Sequence, residues 1–397
     1  MNRPALHTVG LPHTQITKEY ISCAYTQKHL KFVNMMTSIG YPVYSYGSEE
    51  DDSKATEHIC VIDKEKQGEF FGENDFHSKF FNITWGPDDP HWCYMNSKAI
   101  EEIRKRIQPR DIICIIAGYC QKEIADAFPA HQTVEYGIGY AGAFSNYKVF
   151  ESYAHMHWFY GSQKSDNGQY YDAVIPNYFD PADFEYSAEK DDYYLFIGRL
   201  IARKGPEIAV EATRRLGAKL IMAGQGVERI EGNTIYASDG GTYTGDHIEH
   251  IGHVDAEQRS NIMKRAKAVF VPTTYLEPFG GVSIEAMMCG TPVIASDFGA
   301  FCENVIPEVS GFRFRTIGEA TFFAEIADTL DPFLIRKYAV ENFSTDRVKH
   351  LYDDYFSQIK TLEEAPVHPD GFRRDGFYSD WHGSSNRYTR STPEVLL

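Results

Sequence analysis

The sequence predicts an α/β protein of two Rossmann-like domains facing across a cleft, and three observations lead to that expectation. The chain has 397 residues, enough for two domains that each bury a core of their own. Short apolar runs bounded by turn residues alternate with longer amphipathic stretches, which is the strand and helix alternation of parallel sheets. A turn-rich segment, Asn177-Tyr178-Phe179-Asp180-Pro181-Ala182-Asp183, separates an irregular first half from a regular second half.

In the first half, strands are expected at Leu6–Leu11, Tyr41–Tyr46, Ile112–Ile116 and Thr133–Tyr136, with helices near Thr26–Ser38, Ser97–Ile107 and Tyr147–His157. Residues 49–96, rich in Asp, Glu, Gly and aromatic side chains, read as an elaborated loop region. The second half has five short apolar strands, Tyr193–Ile197, Lys219–Ala223, Ile248–Ile251, Ala268–Val271 and Pro292–Ala295, most followed by a turn and a helical pattern. The expected division is a first domain over 1–185, a second over 186–345, a crossing helix over 346–362, and a tail over 363–397. The tail loses periodicity and is expected to be mobile, with Phe372, Phe377, Tyr378 and Trp381 as candidate anchors.

Composition narrows the function classes. Hydrophobic residues make up 43% and charged residues 24%, a folded globular balance. The net charge of -17 argues against nucleic acid as a partner, because phosphate-backbone affinity needs clustered Lys and Arg. Seven cysteines without a Cys-x-x-Cys pair fit a reducing, cytoplasmic compartment better than a disulfide framework. No apolar run approaches the ~18 residues of a membrane span, while peripheral membrane association stays open.

The strongest chemical signal is the string Leu276-Glu277-Pro278-Phe279-Gly280-Gly281-Val282-Ser283-Ile284-Glu285, running from a strand end through a glycine turn into a helix. Gly280 and Gly281 let the backbone approach a ligand closely, and the N–H groups that open the helix favour an anion. Carboxylates beside a phosphate site make sense where they accept hydrogen bonds from hydroxyls, which sugars supply. Upstream, Gly198-Arg199 and Lys204 follow a strand and begin a helix, where two cations would meet a diphosphate. In the first half, Glu135 and Tyr136 precede a glycine-rich turn, Gly137-Ile138-Gly139-Tyr140-Ala141-Gly142, that should open into the crevice. Their alternatives are positioning a sugar hydroxyl or serving close packing. His155 and His157, two apart on an expected helix, would not share a face and make a poor metal pair.

These residues resemble the E-x7-E signature of family-4 glycosyltransferases, retaining enzymes of the GT-B fold, over much of residues 174–345. Val174-Ile175-Pro176-Asn177, Phe196-Ile197-Gly198-Arg199-Leu200 with Lys204-Gly205, and Leu220-Ile221-Met222-Ala223-Gly224-Gln225-Gly226 are similar to successive segments of that family's second domain. The resemblance implies that Arg199 and Lys204 contact the donor diphosphate, that Glu285 binds the ribose, and that Glu277 with the Phe279–Gly281 backbone faces the transferred sugar. It implies a UDP- or GDP-sugar as donor substrate, a hydroxyl-bearing acceptor such as a carbohydrate, and neither a metal nor a further cofactor. Where many relatives have a Gly-Gly turn after the first strand, Gly10-Leu11-Pro12-His13 stands here, a departure from the family's pattern that leaves Gly10 as the candidate for that loop's backbone contact. An epimerase or phosphorylase on the same fold, or a non-catalytic sugar-nucleotide-binding protein, are the alternatives.

Overall fold

The computed structural model describes residues 3–20, 23–73, 83–166, 168, 169 and 171–364. The expected tail beyond 364, with its four aromatic anchors, lies outside the described residues.

The first layer contains β1 (Leu6–Val9), α1 (Ala24–Ser38), β2 (Val43–Ser48), β3 (Glu57–Ile62), α2 (Lys64–Phe71), α3 (Pro90–Arg104) and β4 (Ile112–Ile115). It continues with α4 (Lys122–Ala127), β5 (Gln132–Ile138), β6 (Tyr147–Phe150), α5 (Tyr153–Ser162) and β7 (Ala173–Val174). Its seven strands pair in parallel in the order β3-β2-β1-β4-β5-β6-β7.

The second layer contains β8 (Tyr194–Ile197), α6 (Pro206–Leu216), β9 (Leu220–Ala223), β10 (Val227–Glu231), β11 (Thr234–Ala237), β12 (Thr242–Thr244) and β13 (Ile248–His250). After these come α7 (Ala256–Arg265), β14 (Val269–Val271), α8 (Gly281–Met288), β15 (Val293–Ser296), α9 (Phe301–Asn304), β16 (Gly311–Phe314) and α10 (Ile317–Glu325). Here the parallel order is β13-β9-β8-β14-β15-β16, and β10, β11 and β12 form a separate antiparallel meander. Both large sheets start at an interior strand and reverse direction beside it, between β1 and β4 and between β8 and β14. In open α/β sheets, ligands bind outside the carboxyl ends of the strands at such switch points.

Why these segments are strands follows from burial on both faces. Along β4, Ile112 and Cys114 enter one core cluster while Ile113 and Ile115 enter another on the opposite face. In β8, Leu195 and Ile197 point one way and Tyr194 and Phe196 the other. Parallel strands covered by helices on both sides therefore read as continuous apolar runs.

Two expectations of the first half are corrected. Residues 49–96 are not one loop: they hold β3, α2 and the start of α3. The stretch Tyr147–His157 is not one helix, because β6 occupies its start and α5 begins only after Ser152, whose side chain caps it by accepting from the His155 N–H at 3.1 Å. In the second half β16 and the meander were not anticipated.

After α11 (Pro332–Phe343) the chain recrosses, and α12 (Thr345–Glu364) packs on the first layer. Val348, Leu351, Tyr352, Tyr355, Phe356 and Ile359 recur at helical spacing and join the core of the first sheet. The two crossings run side by side: Phe179 N donates to Phe343 O and Thr345 N to Phe179 O, each at 2.9 Å. Among the described residues no helix is long and apolar enough to cross a membrane.

Candidate functional site

The carboxyl ends of β8 and β14 bring the sequence-predicted second-half residues into one neighbourhood. The loop after β8 carries Gly198, Arg199 and Lys204; the loop after β14 carries Glu277 and runs into α8. They are tied by Thr274 N donating to Arg203 O at 3.0 Å and by the Arg203 guanidinium lying 3.9 Å from the Tyr275 ring centroid.

At the centre, the Lys204 ammonium donates to Glu277 Oε2 and to the Tyr275 hydroxyl, both at 2.8 Å, and Tyr275 donates to the same Glu277 oxygen at 2.7 Å. The Lys204 and Glu277 side chains keep 24% and 13% of their exposure, so the pair is shielded yet reachable. Burial opposes the charge on Lys204, but Glu277 and Tyr275 outweigh it and hold its pKa above the ordinary lysine value. Burial raises the Tyr275 pKa, with Glu277 acting in the same direction. Arg199 is exposed on the same loop as Lys204.

Gly280 caps α8 with φ +80°, a conformation that favours glycine, and any side chain there would collide with the Phe301 ring. Phe279, buried at 3% exposure, anchors the turn, and Gly281 opens the helix. α8 thus opens four residues after Glu277, with the positive end of its dipole at this turn and Ser283 N already donating to Gly280 O at 2.9 Å.

Glu285 lies one turn inside α8 and is ion-paired to Arg259 of α7, whose Nε donates to Oε2 at 2.6 Å. Sequence reasoning missed Arg259 and Tyr275. Both lie outside the quoted motif, Tyr275 in the loop before it and Arg259 on α7, so nothing in residue spacing marked them.

The first-half candidates take other parts. Glu135 is fully buried: its Oε1 accepts from Phe144 N and Ser145 N, each at 2.6 Å, and its Oε2 from the Tyr140 hydroxyl at 3.0 Å. Burial pushes its pKa up against those bonds. Of the two alternatives for Glu135, positioning a sugar hydroxyl or serving close packing, these partners fit the second: the carboxylate clamps the glycine-rich loop. Tyr136 is also buried, with its hydroxyl on His29 at 3.1 Å. Gly10 presents no N–H to a ligand, because its N–H donates to Tyr46 O and its carbonyl accepts from Gln121 Nε2, each at 2.8 Å. The expected Gly10 backbone contact is corrected accordingly. His155 is buried with Nε2 on the Tyr140 carbonyl, while His157 is exposed on another side of α5.

The two layers meet at this site. Gly139 of the first layer lies against Pro278 of the second: a methyl group at Gly139 would stand 3.1 Å from the Pro278 side chain. Glu303 of α9 accepts from Tyr153 N and Ala154 N at the start of α5, at 3.0 and 2.7 Å. Lys31 of α1 donates to Tyr178 O in the first crossing at 2.7 Å.

Residues 181–331 match the family described as glycosyl transferases group 1. Over 165 residues the chain is 30% identical to an uncharacterized glycosyltransferase of Methanocaldococcus jannaschii, covering 41% of this chain and 40% of that protein. The chain thus spans about two fifths of the length of that curated relative. Among solved structures, AviGT4, a glycosyltransferase involved in avilamycin A biosynthesis, superposes with a TM-score of 0.64 at 17% identity, over 90% of this chain and 98% of that one. HepE of Anabaena, in complex with UDP and glucose, superposes with a TM-score of 0.60 at 14% identity, over 89% and 99%. Residues 181–331 are thus similar to the glycosyl transferases group 1 family, and the chain has the GT-B fold of two Rossmann-like layers.

Proposed function

We propose that the protein transfers a sugar from a nucleoside-diphosphate donor to a hydroxyl acceptor, with the donor on the second layer and the anomeric configuration retained. The observation that carries this reading is the Lys204 ammonium held between Tyr275 and Glu277 beside the opening of α8. In that arrangement a leaving diphosphate meets Lys204, Arg199 and the helix N–H groups as its negative charge grows, which stabilises the transition state more than the ground state. No metal is needed for that charge balance. Glu277, whose oxygen is shared between Lys204 and Tyr275, faces the transferred sugar, where positive charge develops. Glu285 keeps Oε2 on Arg259 and offers Oε1 to the ribose hydroxyls.

Departure of the diphosphate and attack by the acceptor on the same face of the sugar account for retention. That the HepE structure holds UDP and glucose on a similar fold supports a UDP-sugar; a GDP-sugar fits the same contacts. All seven thiols are free, which supports a cytoplasmic setting.

A melting screen with UDP, GDP and ADP and their common sugars, followed by labelled-sugar transfer to hydroxyl acceptors, tests the reading. A ligand at 100 times its Kd adds about 2.7 kcal/mol of stability, so one nucleotide should stand out. Transfer with the anomeric configuration retained is the expected result. Sugar-nucleotide binding without transfer or hydrolysis would contradict it.

A further inference from the structure

Trp85 is half exposed, at 50%, yet it is not a loose surface residue. The carbonyl of the preceding Thr84 accepts from Trp92 Nε1 and from His91 Nε2, both at 3.2 Å, and the N–H of the following Gly86 donates to Asp89 at 2.9 Å. Its indole packs on the fully buried Trp92, 5.5 Å between ring centroids, so one face is backed by the core. The exposed face of the indole is therefore held in one orientation, and a fixed aromatic face is a surface on which a ring-shaped ligand can stack.

The neighbours of Trp85 give the site its direction. His13 and Tyr25 each stand edge-on to the indole at 6.2 Å, and Tyr25 stands edge-on to Tyr140 at 5.8 Å. The Tyr25 hydroxyl donates to Gly139 O at 3.3 Å, and Gly139 is the residue lying against Pro278, next to Glu277. An unbroken row of rings therefore leads from the exposed indole to the loop that faces the transferred sugar.

A pyranose ring has a face of C–H bonds and a rim of hydroxyls. The C–H face packs on the electron-rich face of an aromatic ring, and the hydroxyls reach tyrosine and backbone oxygens. We propose that Trp85, with Tyr25 and Tyr140, is the platform for a sugar ring of the acceptor, so that the acceptor is a carbohydrate of more than one unit, one stacked on Trp85 and another presented at Glu277. This rests on the glycosyl-transfer reading for the reaction but not for the binding.

The test uses the full chain as wild type, Trp85→Ala, Trp85→Leu and Trp85→Phe, each checked for an intact melting transition; Leu keeps an apolar contact with Trp92 without a ring face. Calorimetric titrations use maltotriose, cellotriose and chitotriose, with cyclohexanol as a ring lacking the sugar rim and UDP and GDP as separate arms. At least one trisaccharide should bind the wild type, Ala and Leu should weaken it about tenfold, and Phe should retain most of the affinity. Nucleotide affinity should be the same in all four proteins. Absence of trisaccharide binding, equal binding by the folded Ala or Leu variant, or binding of cyclohexanol alone would overturn the platform. If no nucleotide binds while a trisaccharide binds in a Trp85-dependent way, the transfer reading falls and the platform stands.

Discussion

β5 with the loop after it, and the loop after β14, each place a glutamate beside a tyrosine hydroxyl, at 3.0 Å for Tyr140 on Glu135 and 2.7 Å for Tyr275 on Glu277. Their remaining partners differ. Glu135 is closed by two backbone N–H groups of its own loop and has no exposure. Glu277 is completed by the mobile-ended ammonium of Lys204 and keeps a reachable surface. A carboxylate satisfied by fixed backbone cannot change partners without breaking the loop, whereas one paired with a side-chain cation can exchange that cation with an incoming diphosphate. A glutamate–tyrosine pair is thus a closed clamp in one layer and a reachable ion-paired cluster in the other.

The largest effect expected from breaking this contrast is on turnover. Lys204→Ala and Arg199→Ala should each cost about 2–4 kcal/mol of transition-state stabilisation while leaving the fold intact. Steady-state kinetics beside melting curves would check this, and wild-type kinetics in both variants would end the diphosphate assignment.

Glu135→Ala should do the reverse. It leaves the Phe144 and Ser145 N–H groups without acceptors and should cost about 3 kcal/mol of stability, with nucleotide affinity unchanged. Denaturant unfolding and nucleotide titration separate the two. Lost affinity at unchanged stability would show that Glu135 acts on ligand after all.

Asp51 is a second closed carboxylate, and acid should expose it. Burial would push its pKa up, but the ion pair with His58 at 2.8 Å and the bond from Ser53 N outweigh that and hold it at about 2. A carboxyl depressed in the folded state contributes stability that is complete above the ordinary carboxylate range near 4 and is lost as the pH falls towards 2. Asp51→Asn should therefore remove about 2 kcal/mol at neutral pH and flatten the stability profile between pH 4 and 2. A variant with the wild-type acid profile would argue against the pairing.

Glu285 sharpens the comparison from the other side, being paired with Arg259 yet assigned to ground-state binding. Glu285→Gln should mainly raise the donor KM, by about tenfold, with kcat little changed. A fall in kcat alone would move it out of the ribose role.

Much of the second layer was legible in the sequence because its central strands are buried on both faces and appear as apolar runs such as Leu195-Phe196-Ile197 and Val269-Phe270-Val271. The meander was not, since β10 is largely exposed, with Ile230 at 51%, and lacks an apolar face to mark it. The first layer hides more. β3 is an edge strand with the polar start Glu57-His58, and the apolar stretch around Tyr147–His157 joins a strand to a helix across Glu151-Ser152 without an obvious break. In the site, the string from Glu277 to Glu285 and the Gly198, Arg199 and Lys204 group could be read from residue type and order. The bonds of Tyr275 and Arg259 depend on loops brought together by sheet order, and the closed surroundings of Glu135 depend on a chain turn ten residues long. Spacing along the sequence does not encode either.

The most direct test of the contrast is steady-state kinetics of Glu277→Gln, with donor varied at saturating acceptor, beside its melting temperature. Gln keeps the shape and loses the charge, so kcat should fall by about 10²–10³ while the donor KM and the melting temperature stay near wild type. Normal turnover with only a raised KM would contradict the account and leave Glu277 a binding residue.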